Sequence, residues 1–395
     1  MKEIYLDNAA ATPLDPEVLE AMLPWLKAGY GNASSVHTLG RQAKVMIEDT
    51  RDMFADFIGA RSSEIYFTSG GTEADNFAVK GITFSRLGDE AFTGSARPHI
   101  ISSAIEHSAV IDTLEYLKQR FAVDVTYLAP DRFGRIDTNE AEKAIRPETA
   151  LMTIMHSNNE LGVINDSRQF ARIAHSHNIP FFTDAVQSLG KTDIKVAEME
   201  CNAASFSGHK IYGPKGIGAL FIKKDTFIDK FMHGGKQERD RRGGTENTAA
   251  IAGFGKAIEL LKSRMRSDIE LYSALREHFI KSIKEALGSK VIFNSPGCGE
   301  SDEDIPHIPN IVNISFDPGK VNADADTLLI KLDMKNIAVS SGSACTSGSV
   351  QPSHVLKAIG YDDRSARSSL RVSFGRKNTF DEVDTFIEAL KDIIL

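Results

Sequence analysis

Cysteine is scarce in this chain: three residues in 395, at 201, 298 and 345. They form no CxxC pair and no zinc spacing, and so sparse and odd a set is not a disulfide framework. Positive charge is in the minority, with 46 Lys+Arg against 54 Asp+Glu and a net charge of −8. That balance gives no footprint for coating nucleic acid or an anionic membrane. No stretch approaches the ~18 apolar residues of a membrane span. The opening MKEIYLDNAA carries Glu3 and Asp7 where a secretory signal needs an apolar run. His175 and His177 do not share a helix face, and Glu300, Asp302, Glu303 and Asp304 lack calcium-loop spacing, so no metal site is expected. Repeats and low-complexity tracts are missing too. These absences predict a soluble protein of a reduced, cytoplasmic compartment with no nucleic-acid or membrane partner.

What is present is ordinary globular material, 42% hydrophobic and 25% charged, long enough for two domains at ~150 residues each. Asp15-Pro16 opens a helix with Leu19, Met22, Leu23 and Leu26 on one face. Met46, Ile47, Phe54, Phe57 and Ile58 repeat the spacing, and Gly59 ends that helix. From residue 62 onward short apolar runs (65–68, 99–103, 123–128, 151–155, 180–183) alternate with amphipathic helix-length segments. This is the pattern of a mainly parallel sheet covered on both faces. A long charged helix over 247–287 then leads into a smaller α+β unit with strands near 290–293, 309–315, 337–340 and 369–374 and a final helix. We expect a large domain over 15–260 and a small one from 1–14 with 261–395.

Four clusters carry chemistry. In FTSGGTEADN (67–76) a strand ends at Thr68, Gly70-Gly71 allow close approach of a ligand, and a helix begins near Thr72, which makes an anion site. A plain βα turn capped by Thr72 explains the same residues equally well. In FFTDAVQS (181–188) Asp184 ends an apolar strand at the sheet edge where open α/β folds bind ligands, and it would keep a heterocyclic nitrogen protonated. An N-cap role is the simpler alternative. In SFSGHKIYGPKGIG (205–218) Lys210 sits beside Ser207 and His209 and, shielded, would form a Schiff base with a carbonyl cofactor. Most lysines, however, are surface residues. In AVSSGSACTSGSVQPSHVL (338–356) Cys345 lies in nine consecutive small residues that bury little and should be mobile, followed by a helix from Pro352 to Gly360. That setting suits a travelling nucleophile rather than core packing. Cys201 and Cys298 lack it and read as structural or incidental.

Smaller signals join these. His107 follows a strand and would stack on a flat ring or move protons, although taken alone a helix-start histidine is the simpler reading. Asn159 would bond a ring hydroxyl, and Arg371 in SSLRVSFGR is either paired internally or clamps a carboxylate. Residues 185–192, AVQSLGKT, imitate a P-loop, but Ala185 stands where the tight turn needs glycine. QERDRRGG (237–244) is a basic run too short on an acidic chain to argue for nucleic acid.

Together YLDNAAATP, SGHK, GGKQERDRRGGTEN, SSGSACTSG and SSLRVSFGR resemble the pyridoxal-phosphate cysteine desulfurases of the NifS/IscS type, within the class V aminotransferases, over nearly the whole chain. The resemblance implies the aspartate-aminotransferase-like fold, PLP fold type I, with a seven-stranded large-domain sheet, and a homodimer with sites at the subunit interface. It implies that Lys210 holds pyridoxal 5'-phosphate, Asp184 pairs with its ring nitrogen, and Gln187 and Asn159 address the ring oxygen or substrate. His107 would stack on the ring; Gly71, Thr72, Ser207 and His209 would hold the phosphate with Thr245 of the neighbouring subunit. Asn32 and Arg371 would bind the carboxylate of L-cysteine, and Cys345 would attack sulfur, leaving alanine and a persulfide. His107 would serve as an acid. The acceptor would be an iron–sulfur scaffold or a tRNA-thiolation protein. A selenocysteine lyase or another class V enzyme on this fold is the alternative. Ala33 and Val186 depart from the proline and threonine common in the group.

Overall fold

The computed structural model describes residues 3–87, 97–299, 301–321, 323–341 and 352–395. In chain order the first elements are β1 (Ile4–Tyr5), α1 (Pro16–Lys27), α2 (Thr38–Ile58), β2 (Ile65–Thr68), α3 (Gly71–Leu87), β3 (His99–Ser103), α4 (Ser108–Phe121) and β4 (Asp124–Leu128). Next come α5 (Thr138–Lys143), β5 (Thr149–Thr153), α6 (Ser167–Ser176), β6 (Phe181–Asp184), α7 (Val196–Met199), β7 (Ala203–Ser207) and β8 (Gly218–Ile222). The chain continues through α8 (Thr248–Leu287), β9 (Val291–Phe293), β10 (Ile311–Phe316), α9 (Ala325–Asp333) and β11 (Ile337–Ala338). It closes with α10 (His354–Ala358), α11 (Asp363–Ala366), β12 (Leu370–Ser373) and α12 (Phe380–Ile394).

Seven strands form one sheet in the order β2-β8-β7-β6-β5-β3-β4. Every pairing is parallel except the two made by β8, which runs against β2 and β7. The strands are buried on both faces, so adjacent residues feed opposite cores. Phe181, Met152, Ile101 and Phe206 pack towards α2, α6 and the first half of α8. Their neighbours Phe182, Leu151 and Ile100 pack towards α3 and α4. Each such side chain contributes about 1.5–3 kcal/mol of burial.

Helix α8, 40 residues long and capped by Asn247, passes from one core to another. Its residues to Leu261 pack on the seven-stranded sheet, and those from Tyr272 pack in a separate core. That second core joins Ile4 and Leu6 with the antiparallel sheet β12-β10-β9 and α12. The N-terminal strand thus belongs with the C-terminal third of the chain.

Two local expectations change. On α1 only Val18 is buried, Met22 packs on the core, and Leu19 and Leu26 face outward at 42% and 61% exposure. The helix rests on α8 along a narrower stripe than its leucines suggest. The helix expected from Pro352 begins at His354, because Ser353 is its N-cap and accepts from the Leu356 amide. Among the described residues no helix is long and apolar enough to cross a membrane.

Candidate active site

The parallel strands all point their carboxyl ends at one cleft of about 580 Å³. Strand β2 delivers Ser69–Thr72, β3 delivers His107, β5 delivers Met155 and Asn159, β6 delivers Asp184–Gln187, and β7 delivers Ser207–Lys210. Of the residues singled out from sequence, Gly71, Thr72, His107, Asn159, Asp184, Gln187, Ser207, His209 and Lys210 all line it.

One end of the cleft is the N-terminus of α3, whose first amides have no intrahelical acceptor. The turn is held by side chains: Glu73 accepts from the Ser69 amide at 2.8 Å and is gripped by Arg242 at 2.7 and 3.1 Å. Space is tight behind it. A Cβ on Gly71 would stand 2.8 Å from Val186 Cγ2, and one on Gly218 would stand 2.6 Å from the Gly70 backbone. Ser207 Oγ shares a 2.9 Å hydrogen bond with His209 Nδ1. Burial and then the charges of Lys210 and Lys215 push His209 down to about 4, so it is a neutral ring.

Lys210 is nearly buried, and its Nζ donates to the Ala9 and Ala10 carbonyls at 2.6 and 2.9 Å. Burial, then Arg371, lower it to about 8, against the opposing pull of Asp184 and Asp7. A substantial neutral fraction near that pH is what an amine nucleophile requires. Asp184 is raised by burial, while His107, the Val186 amide at 2.9 Å, Lys210 and Ser205 favour its charged form. His107 caps α4, its Nδ1 accepting from the Ala109 amide at 3.1 Å, and burial lowers its affinity for a second proton. Gln187 Nε2 donates to the Ala9 carbonyl at 2.9 Å.

Arg371 is paired internally, the first of the two readings the sequence left open, and does not line the cleft. Its Nη2 meets Asp7 at 2.8 Å and its Nη1 donates to the Asn159 carbonyl at 2.9 Å, while its Nε is buried with no partner. Asn32 and Thr245 are exposed and do not line this chain's cleft, and the Asn32 side chain accepts from the Ser34 amide. Cys345 lies outside the described residues. Cys201 and Cys298 are buried, and burial pushes their thiols up to about 12 and about 11.

Sequence reasoning missed several participants. Asp75 and the carbonyls of the 9–11 segment line or bond into the cleft although 200 residues of chain separate Ala10 from Lys210. Lys191, the lysine of the P-loop imitation, is buried beneath the turn that carries Lys210, donates to the Lys210 carbonyl at 2.7 Å and is lowered to about 7 by burial. It is no phosphate ligand of an NTPase. Only the apolar Ala185 and Leu189 around it hinted at an inward path.

The donor set suits a flat, charged heterocycle with an anionic tail. It offers a carboxylate at the sheet edge, a helix N-terminus, a neutral imidazole, a shielded lysine and an unpartnered buried oxygen, Oδ1 of Asn159. A family model for aminotransferase class-V matches residues 4–386. The chain is 42% identical to "Cysteine desulfurase IscS" of Dictyoglomus turgidum, covering 100% of this chain and 95% of that protein. It is 40% identical to "Cysteine desulfurase IscS" of Methanosarcina thermophila, covering 100% and 92%. Among solved structures it resembles a NifS-like protein with a TM-score of 0.88 at 32% identity over 99% of both chains. It also resembles SspA in complex with cysteine, with a TM-score of 0.80 at 37% identity over 96% and 100%. Enzymes of this family use pyridoxal phosphate. Full-length agreement in sequence and in backbone, on a cleft with these donors, leaves one assignment: the chain is an enzyme of the class-V aminotransferase family, in its cysteine desulfurase branch.

Proposed function

We propose that the chain converts L-cysteine to L-alanine with pyridoxal 5'-phosphate and leaves the sulfur as a persulfide on Cys345. The observation that carries the reading is Lys210, shielded and lowered to about 8, across a buried cleft from Asp184. Lys210 would hold the cofactor, and the α3 N-terminus with Gly71, Thr72, Ser207 and His209 would take its phosphate. Asp184 would pair with the ring nitrogen, His107 would cover the ring, and Gln187 and Asn159 would address the ring oxygen side. When bound, the cofactor supplies an electron sink conjugated to the substrate Cα.

The chain's own groups do the rest. Arg371, with Nε still unpaired, orients the substrate carboxylate together with Asn32. The released Lys210 amine takes the Cα proton and returns one. The Cys345 thiolate attacks the substrate Sγ, the Cβ–Sγ bond breaks, and His107 supplies a proton on the way to alanine. One thiol and one cysteine become one persulfide and one alanine, so no external oxidant enters.

We further propose a homodimer in which Thr245 serves the neighbouring cleft; its exposure outside its own cleft supports this. The expected organisation, 15–260 holding the cofactor and 1–14 with 261–395 forming the smaller unit, is supported by the two cores that α8 joins. The site of action is the cytoplasm and the acceptor a protein of iron–sulfur assembly or tRNA thiolation. The test is mass spectrometry after L-cysteine addition: the persulfide should map to Cys345, and Cys345→Ala should retain the yellow cofactor but form none. Lys210→Ala should lose the borohydride-reducible linkage. A persulfide formed undiminished in Cys345→Ala would overturn the assignment.

A further inference from the structure

The floor of the cleft holds more carboxylate than its surroundings neutralise. Asp75 on α3, Glu106 after β3 and Asp184 at the end of β6 are 1%, 0% and 5% exposed. The groups facing them are His107 beside Glu106, Lys210 after β7, and the hydroxyls of Ser205 on β7 and Ser103 on β3. Lys210 already spends two N–H donors on the Ala9 and Ala10 carbonyls.

Compensation among the three acids is uneven. Asp184 accepts from the Val186 amide and has His107 and Lys210 nearby. Glu106 Oε1 accepts from the Met155 amide and from Ser103, but its Oε2 is buried with no partner. Asp75 lines the cleft with a buried Oδ1 that has no partner at all. An ionised carboxylate left with an unsolvated oxygen is expensive, and neighbouring buried acids cannot all ionise. A carboxylic acid carries no charge to solvate, and its O–H is a donor where a carboxylate has none. Burial and the charge of Asp184 hold Asp75 well above the usual carboxylate range, and burial raises Glu106 to about 8.

We propose that Asp75 is a neutral carboxylic acid beside Asp184 and Ser205, leaving Asp184 to carry the negative charge of the cleft floor. It is a positioning residue for the carboxylate that faces the cofactor ring, and the inference rests on that reading of Asp184. Ser205 stands opposite Asp184 in the β6–β7 register, and its Oγ, like Asp75 Oδ1, is buried with no hydrogen-bond partner, so a protonated Asp75 supplies the donor this corner otherwise lacks.

The experiment reconstitutes purified apoprotein variants with pyridoxal phosphate and follows cofactor affinity, the pH titration of the bound cofactor's absorbance, and infrared difference spectra. Asp75→Asn keeps a neutral hydrogen-bonding group of the same shape. It should leave the absorbance midpoint in place and affinity within about threefold, while the carbonyl stretch of a protonated acid disappears. Asp75→Leu, which removes the polar partner, should weaken affinity about tenfold or more. An Asp75→Asn spectrum that loses a carboxylate band instead, or a midpoint that moves as in Asp184→Asn, overturns the proposal alone. An Asp184→Asn variant with unchanged affinity and spectrum overturns the reading of Asp184 and this inference with it.

Discussion

His156 sits directly behind the cofactor-facing edge of the sheet. Its amide donates to the Asp184 carbonyl at 2.9 Å, and its Nδ1 shares a 2.7 Å hydrogen bond with Ser188 Oγ. Burial lowers its proton affinity from 6.5 to about 4. Because the folded midpoint lies below the unfolded one, the neutral ring contributes stability that is fully present above pH 6.5 and lost as pH falls towards 4. With those two midpoints the loss at pH 5 is roughly 2 kcal/mol, against almost none at pH 7. Glu106, raised to about 8, acts with opposite sign over part of this range, and His99 and His209, each about 4, act with the same sign. The absolute acid limb is therefore a sum, and the informative quantity is a difference between variants. His156→Asn keeps a hydrogen-bonding group near Nδ1 and removes the titration. Urea midpoints at fixed protein concentration, read by circular dichroism at pH 7 and pH 5, give that difference. The variant's deficit relative to wild type should shrink by about 2 kcal/mol at the lower pH. An equal deficit at both values would mean that His156 titrates as an ordinary solvated imidazole, and the burial argument would fail.

Two further outcomes follow from packing and pairing. Gly71→Ala puts a methyl 2.8 Å from Val186 Cγ2, so cofactor affinity in a fluorescence titration should fall about tenfold, and adding Val186→Ala should restore it. Failure of the second change to rescue would show that the Gly71 contact is not what fixes the turn. Glu238 binds Arg51 through both oxygens at 2.7 and 3.0 Å and accepts from the Phe67 amide at 2.8 Å, all out of solvent. Glu238→Gln leaves the buried Arg51 charge with only the half-exposed Glu48 carboxylate at 3.3 Å and should cost about 1.5–3 kcal/mol in urea unfolding, while Arg51→Met in that background should recover part of it.

The sheet was legible because buried parallel strands must be apolar runs bounded by turns, and β2 and β3 were found with the bounds read from sequence. The β5 run was read two residues late. Ile154 and Met155 are as apolar as the strand and fully buried, yet they already belong to the turn that passes beneath the cleft. The cleft was legible piece by piece, since each cleft-lining residue singled out from sequence sits at or after the carboxyl end of a strand, and that edge collects them. Exposure was harder to read. Leu19 and Leu26 have the spacing of an inward stripe, but where a helix lands is decided by its partner, α8, 200 residues away.

Charged side chains hid more, because a charge reveals its sign and not its partner. The run 237–244 reads as a small basic patch, yet its charges have internal partners: Glu238 holds Arg51, Arg239 bonds the Ser62 carbonyl, and Arg241 bonds the Ile228 carbonyl. Arg242 grips Glu73, which in turn fixes the Ser69 amide at the mouth of α3. The segment therefore braces the turn expected to receive the phosphate, through a Glu73 that itself lines the cleft. The same logic separates the two lysines near residue 200. Lys191 sits in a motif that imitates a phosphate loop but donates inward to backbone, whereas Lys210, in a glycine-rich loop that composition would place on the surface, is the one shielded beside Asp184. What distinguishes them is the strand each follows and the carbonyls each meets, and both are properties of the folded chain rather than of either motif.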